Sequence, residues 1–241
     1  MQMFSAKKKV HVTEEGVNPL AMLVSVNKEH EVKTVFPEIQ RQSKERKFPE
    51  AVELLVRLNI DPTKGDQNVR GTCILPAGTG NEVRICVFTG TEAHEMVSEA
   101  GADMIGTEEM LRDIADGKIA FDKIIATPEQ MPELKRLARV LGPKGLMPNP
   151  KSGTLVKPDE LLDAVKLSKQ GLIEYRVNED ATIMTKIGLR SFSDKDLEAN
   201  ADALLTAVAK KRPEVIKGRY FRNGQVKTTM GPPVQLDLNH Y

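Results

Sequence analysis

Between Val83 and Lys169 the chain changes its apolar period again and again, and this alternation constrains the fold more than any other feature. The run Val83 to Thr89 reads as a buried strand, Glu92 to Ala100 as a helix and Asp103 to Gly106 as a short strand. Glu108 to Ala115 is a helix ended by Gly117, and Phe121 to Ala126 is a strand. A helix from Met131 to Leu141, a loop rich in Gly and Pro, and a helix from Pro158 to Lys169 complete the stretch. Strand and helix alternating over short connections imply a parallel sheet covered by helices.

The flanks follow another pattern. Val52, Leu54, Val56, Leu58 and Ile60 alternate with Glu53, Arg57 and Asn59, the period of a strand with one buried face. A turn cluster at 61–66, a strand from Val69 to Leu75 and a hinge-like break from Pro76 to Asn81 come next. After Gly171, Leu172 to Val177 and Thr182 to Gly188 form a strand pair around Asn178-Glu179-Asp180. Leu197, Ala201, Leu204, Leu205 and Val208 mark one face of a long helix from a Ser193 cap to Pro213. Gly218 to Arg222 and Gln225 to Met230 read as two more strands, while residues 1–46, with Lys7-Lys8-Lys9 and the polar run Gln40 to Lys47, carry the weakest pattern. The expectation is an α/β protein of two domains: a split α/β domain from residues 1–78 and 171–241, and an inserted parallel α/β domain at 79–170. At 241 residues the chain is long enough for both.

No apolar run approaches the roughly 20 residues of a membrane-spanning helix, and Met1 to Val10 is too short and basic for a signal-peptide core. Cys73 and Cys86 sit in strand-like apolar runs, which points to a reducing compartment, and the scattered His11, His30, His94 and His240 give no metal set. The net charge of +1 hides a split. Residues 79–170 hold 12 Lys+Arg against 15 Asp+Glu, leaving the flanks 23 of the chain's 35 against 19 of its 34. The flanks are the better place for nucleic acid.

Leu134, Leu137, Ala138 and Leu141 line one side of a short basic helix, with Lys135, Arg136 and Arg139 opposite. Gly142 is expected as its left-handed cap, and Pro143, Pro148 and Pro150 stiffen the loop that follows, pushing Met147 and Asn149 to extended geometry. Such a loop, holding Lys144 and Lys151, suits phosphate or a partner surface; a plain helix-to-strand connection with solvated lysines is the other reading. Gly142 and Gly145 also match the G-x-x-G loop of KH modules, a short and common pattern. Gly78-Thr79-Gly80 lacks the third glycine of a dinucleotide fingerprint and precedes a strand instead of following one. No paired carboxylates, Ser-His-Asp order or Walker lysine appear in suitable context. Lys47-Phe48 places a cation beside an aromatic, and Thr228-Thr229-Met230-Gly231 ends a strand with hydroxyls, a thioether and an approachable glycine, a surface that fits an RNA ribose and base face or an ordinary strand end.

Arg139 to Lys151 with Gly153-Thr154, together with Asp66-Gln67-Asn68-Val69-Arg70-Gly71 and Thr228-Thr229-Met230-Gly231-Pro232, resembles the motifs of the ribosomal protein L-one family, over roughly Lys47 to the end. The resemblance implies a split α/β domain carrying an inserted Rossmann-like domain. It also implies a non-catalytic protein of the large subunit that binds stalk rRNA beside the tRNA exit site, assists release of deacylated tRNA and, in bacterial members, represses its own mRNA. By the same resemblance Lys47, Phe48, Glu53, Arg176, Asn178, Asn223, Thr228, Thr229, Met230 and Gly231 form the RNA site, and Gly142, Pro143, Lys144, Gly145, Met147, Pro148, Asn149, Pro150 and Lys151 the signature loop. No cofactor, metal or membrane is implied, and the protein would be a monomer within the ribosome. Ala51, Asn178-Glu179, Lys144 and the segment from Val12 to Arg46 depart from the bacterial pattern. The segment from Val12 to Arg46 points to an organellar member, mitochondrion before plastid, over the bacterial cytoplasm. The rival class is an enzyme using the insert for a nucleotide or metabolite; the phosphate loop it would need is missing.

Overall fold

The computed structural model describes residues 30–42, 46–90 and 94–241. Lys7-Lys8-Lys9, His11 and the helix start at Glu92 lie outside them. In chain order the elements are α1 (Val32–Gln42), β1 (Ala51–Leu58), β2 (Arg70–Ile74), β3 (Ile85–Phe88), α2 (His94–Glu99), β4 (Met104–Ile105), α3 (Glu108–Ala115) and β5 (Lys123–Ala126). Then come α4 (Met131–Arg136), α5 (Ala138–Leu141), α6 (Leu161–Lys169), β6 (Leu172–Arg176), β7 (Thr182–Leu189), α7 (Asp194–Lys210), β8 (Phe221–Thr228) and β9 (Val234–Leu236).

An antiparallel sheet of order β7-β1-β8-β9 joins strands from both ends of the chain. Its alternation follows the side-chain period: Val52, Leu54, Val56 and Leu58 point inward with Ile183, Ile187, Val226 and Val234. Helices α1 and α7 cover that face, through Val35, Phe36 and Ile39 on one and Leu197, Ala201, Leu204, Leu205 and Val208 on the other. Ser193 caps α7, its Oγ accepting from the Asp196 N–H. A separate ribbon of β2 and β6 adds Cys73 and Tyr175 to the same core, and the Tyr175 hydroxyl donates to the Ala207 carbonyl at 3.1 Å.

The chain between carries a parallel sheet of order β4-β3-β5. All of β3 is buried because both faces are covered: Cys86 and Phe88 meet Ile114, Leu134 and Leu141, while Ile85 and Val87 meet Val97, Leu161 and Val165. The fold is therefore α/β, with a split unit and an inserted parallel unit. The two crossings between them touch at glycines. Gly78 has φ 72° and Gly171 φ 108°, and a Cβ on Gly171 would lie 2.7 Å from the Gly78 Cα.

Four local expectations need correction. Helix α1 lies in the stretch read as weakly patterned; Pro37, a poor interior helix residue, sits on its exposed side while Val32, Val35, Phe36 and Ile39 are buried. The helix expected from Met131 to Leu141 breaks at Leu137, where φ −94° and ψ 5° and an N–H bond back to Leu134 tighten the turn. Its cap is Gly145, not Gly142. Gly142 is right-handed at φ −59°, whereas Gly145 has φ 71°, and the bonds Leu146 N–H to Leu141 O and Gly145 N–H to Gly142 O make a Schellman closure. Finally, the two runs near the end form one strand, β8, with Gly224 opposite Val56, and β9 follows after Pro232-Pro233.

Candidate functional site

The outward face of the antiparallel sheet is arranged in rows by strand register. Glu53 on β1 stands between Lys186 and Lys227, Leu55 between Met184 and Gln225, and Arg57 between Thr182 and Asn223. Arg57, Met184 and Asn223 are exposed. The Lys227 ammonium pairs with the Glu53 carboxylate at 3.2 Å, and Lys186 donates to Asn81 Oδ1 at 2.8 Å, partial burial lowering its ammonium pKa.

One end of this face gathers most of the expected contacts. Thr229 N–H donates to the Ala51 carbonyl at 3.0 Å, and Ala51 N–H donates to Thr229 Oγ1 at 3.1 Å. This pairing joins the start of β1, which follows Lys47 and Phe48 in the chain, to the end of β8, which leads into Met230 and Gly231. Phe48 is 48% exposed and Met230 60%, so both offer apolar surface to a ligand. Thr228 is a correction. It points inward at 0% exposure, its Oγ1 unpartnered among the described residues, so its side chain offers nothing to a surface ligand.

Asn223, Asn178 and Arg176 belong to the opposite end. Five residue steps along β8 separate Asn223 from Thr228, about 17 Å at strand rise. Asn178 N–H donates to the Thr182 carbonyl at 2.9 Å, in the row of Arg57 and Asn223. Arg176 lies across from Arg70, whose Nε donates to Glu174 at 2.7 Å, in an open cleft of about 560 Å³ rimmed by Glu179 and Asp180. The expected RNA residues thus form two groups, one at the Ala51–Thr229 end of the antiparallel sheet and one at its Arg57–Asn223 end, with Arg176 on the separate β2-β6 ribbon. Met184, Lys186 and Lys227, between those groups, and Arg57, in the row of Asn223, are not marked by any motif, although Glu53 and Arg57 already sit on the outward face of a period-two strand.

The signature loop is elsewhere, on the insert. Asn149 organises it: its N–H donates to Thr154 Oγ1 at 2.9 Å, its Oδ1 accepts from Lys151 N–H, and its carbonyl accepts from the buried Ser152 hydroxyl at 3.1 Å. Pro148 is buried, and the turn Pro150–Ser152 packs against β2 of the split unit. A cavity of about 300 Å³ lies between Gly145 to Met147, Lys123 and the β6 residues Leu172 to Glu174. Desolvation there lowers the Lys123 ammonium pKa, and the Glu174 carboxylate opposes the shift. Gly142 to Gly145 close a helix C-terminus rather than clamp a backbone between helices, and Gly80 packs against Leu189 and Phe192 rather than opening a phosphate loop. No group of three His, Cys, Asp or Glu among the described residues could hold a metal ion.

Comparison with known proteins meets this geometry from another side. A sequence model described as the Ribosomal protein L1p/L10e family matches residues 40–232. The large ribosomal subunit protein uL1 of a Nocardioides species is 46% identical over 201 residues, covering 83% of each chain. The uL1 proteins of Actinobacillus succinogenes and Gemmatimonas aurantiaca are 47% and 46% identical, covering 79% and 81% of this chain and 82% and 84% of theirs. With the family's span and the relatives' coverage in agreement, the chain belongs to the Ribosomal protein L1p/L10e family.

Proposed function

We propose that this protein is a structural, non-catalytic constituent of the large ribosomal subunit that holds side-stalk rRNA at one end of its antiparallel sheet. The observation that carries the reading is the pairing of Ala51 with Thr229, which ties the strand that follows Lys47 and Phe48 to the strand that leads into Met230 and Gly231. A cation, two exposed apolar groups and an approachable backbone suit a folded RNA, whose phosphate, base faces and ribose need those three chemistries. Glu53 and Lys227 continue the surface, and Asn178, Arg176 and Asn223 are assigned a second contact at the far end. In this reading residues 1–78 and 171–241 form the RNA-binding domain and 79–170 the insert. The stalk position beside the tRNA exit site, help in releasing deacylated tRNA and repression of the chain's own mRNA belong to the same proposal, resting on the motif resemblance. The relatives named above are bacterial, so they give the organellar expectation no support; a bacterial ribosome is an equally good home.

Sedimentation of the native protein tests the role. Co-migration with large subunits is expected. A free pool that binds nucleotide would favour the enzymatic alternative instead.

A further inference from the structure

The insert is net negative, yet its charges are sorted. Residues 131–157 carry six cations, Lys135, Arg136, Arg139, Lys144, Lys151 and Lys157, against the single anion Glu133, whereas the rest of 79–170 carries six cations against fourteen anions. All six are exposed. None is ion-paired among the described residues, while Arg84, Lys118 and Lys169 on the acidic remainder hold Asp122, Asp113 and Asp103. Leu134 and Leu141 turn the helix pair's other side into the core, which leaves Lys135, Arg136 and Arg139 outward, and the Gly145 closure and the Asn149 hydrogen bonds fix the backbone carrying Lys144 and Lys151.

A cation near a helix C-terminus is stabilised by the backbone dipole, which accounts for Arg139 and Lys144 but not for the other four. A protein partner would want an exposed apolar anchor, and the large apolar groups here pack into the insert, Leu134 and Leu141 fully buried and Leu137, Val140, Leu146 and Met147 half-buried against them. A preformed segment rich in exposed, unpaired cations and without an exposed apolar anchor suits a phosphate backbone, where binding is driven by release of condensed counterions and little ordering is left to lose. We propose that residues 131–157 form a second, sequence-independent RNA-backbone contact on the insert, distinct from the sheet-end site. The proposal rests on the reading of the protein as a ribosomal RNA binder.

The test uses the full chain, with deproteinised bacterial large-subunit rRNA in one arm and bulk deacylated bacterial tRNA in the other, binding being followed across a KCl series. Each lost phosphate contact lowers the slope of log K against log salt by roughly 0.7–0.9. Replacing Lys135, Arg136 and Arg139 together by Gln therefore lowers the slope by about 2.4. Between 50 and 200 mM salt, wild type should lose about thirtyfold more affinity than the variant loses. The charge-keeping pair Arg136→Lys and Arg139→Lys retains the wild-type slope. A lowered slope with rRNA alone, or with tRNA alone, supports the contact and names its source. An unchanged slope in both arms overturns the proposal. Met230→Asp, run alongside, separates the two readings: weakened rRNA binding there with an unchanged triple variant leaves the sheet-end site standing without the second contact, and no effect of Met230→Asp removes the sheet-end site whatever the triple variant does.

Discussion

Asn200 is the side chain on which the junction between the two units depends. It is wholly buried on α7, its Oδ1 accepts from the Ala77 N–H at 3.0 Å, and its Nδ2 donates to the carbonyls of Gly78 at 3.0 Å and Ile187 at 2.7 Å. It fastens one crossing to the split unit just before the glycine contact with Gly171. In Asn200→Ala the Ile187 carbonyl loses a fully buried partner, and the Ala77 N–H and the Gly78 carbonyl lose part-buried ones. At about 1 kcal/mol for each hydrogen bond, the expected loss is about 3 kcal/mol. Asn200→Asp should cost at least as much, because it keeps the acceptor for Ala77 but turns an oxygen toward two carbonyl oxygens. Urea unfolding followed by circular dichroism gives the stability change, and amide exchange at Ala77 gives the local one, which should accelerate in both variants. An alanine variant within about 0.5 kcal/mol of wild type, with Ala77 exchange unchanged, would show that packing alone holds the crossing.

Further outcomes follow from the same structure. Phe36→Ala should cost about 3–5 kcal/mol, since Phe36 is 1% exposed in the core of the split unit; a change below about 1 kcal/mol would remove α1 from that core. Burial pushes the Cys86 thiol from 9.0 and the Tyr220 hydroxyl from 10.0 up to about 12, and raises Cys73 as well. These groups keep their protons longer in the folded state, so their contribution is whole below the unfolded values and is lost as pH rises toward the folded ones. The urea midpoint should accordingly decline above pH 9, and replacing both cysteines by alanine should delay the decline toward pH 10. If Gly78 and Gly171 act as a hinge, distances between labels at the exposed Lys151 and Ser191 should change in distribution on adding rRNA, and an identical narrow distribution would refute hinge motion.

The strand-and-helix order of the insert is legible because β3 and β5 are short apolar runs separated by helices of local period, while the break at Leu137 and the cap at Gly145 are not. The ends of the chain were harder. Pro37 disguises α1 even though Val32, Val35, Phe36 and Ile39 have helical spacing, and Asn223-Gly224 divides β8 into two apparent runs that pairing with β1 joins into one extended strand. The helix cap was placed on the first glycine after the apolar pattern, but Pro143 tolerated one more turn and the left-handed residue fell at Gly145. Within the candidate site, motifs named the segments but not the orientation of each side chain. Thr228 and Thr229 are adjacent on a strand edge, so period two forbids both from facing the same ligand, and the register shows that Thr228 is the one inside. Arg57, Met184, Lys186 and Lys227 come together only through pairing of three distant strands, which no local pattern encodes.

The central claim is that RNA lies against the sheet end where Met230 is exposed, and the affinity of Met230→Asp for deproteinised large-subunit rRNA, set beside Lys144→Ala, tests it most directly. A carboxylate buried against RNA without a partner costs several kcal/mol, of the order of a hundredfold or more in affinity, whereas removing one of the insert's exposed cations costs far less. The account predicts a large loss for Met230→Asp and a small one for Lys144→Ala; Met230→Asp binding as tightly as wild type would contradict it.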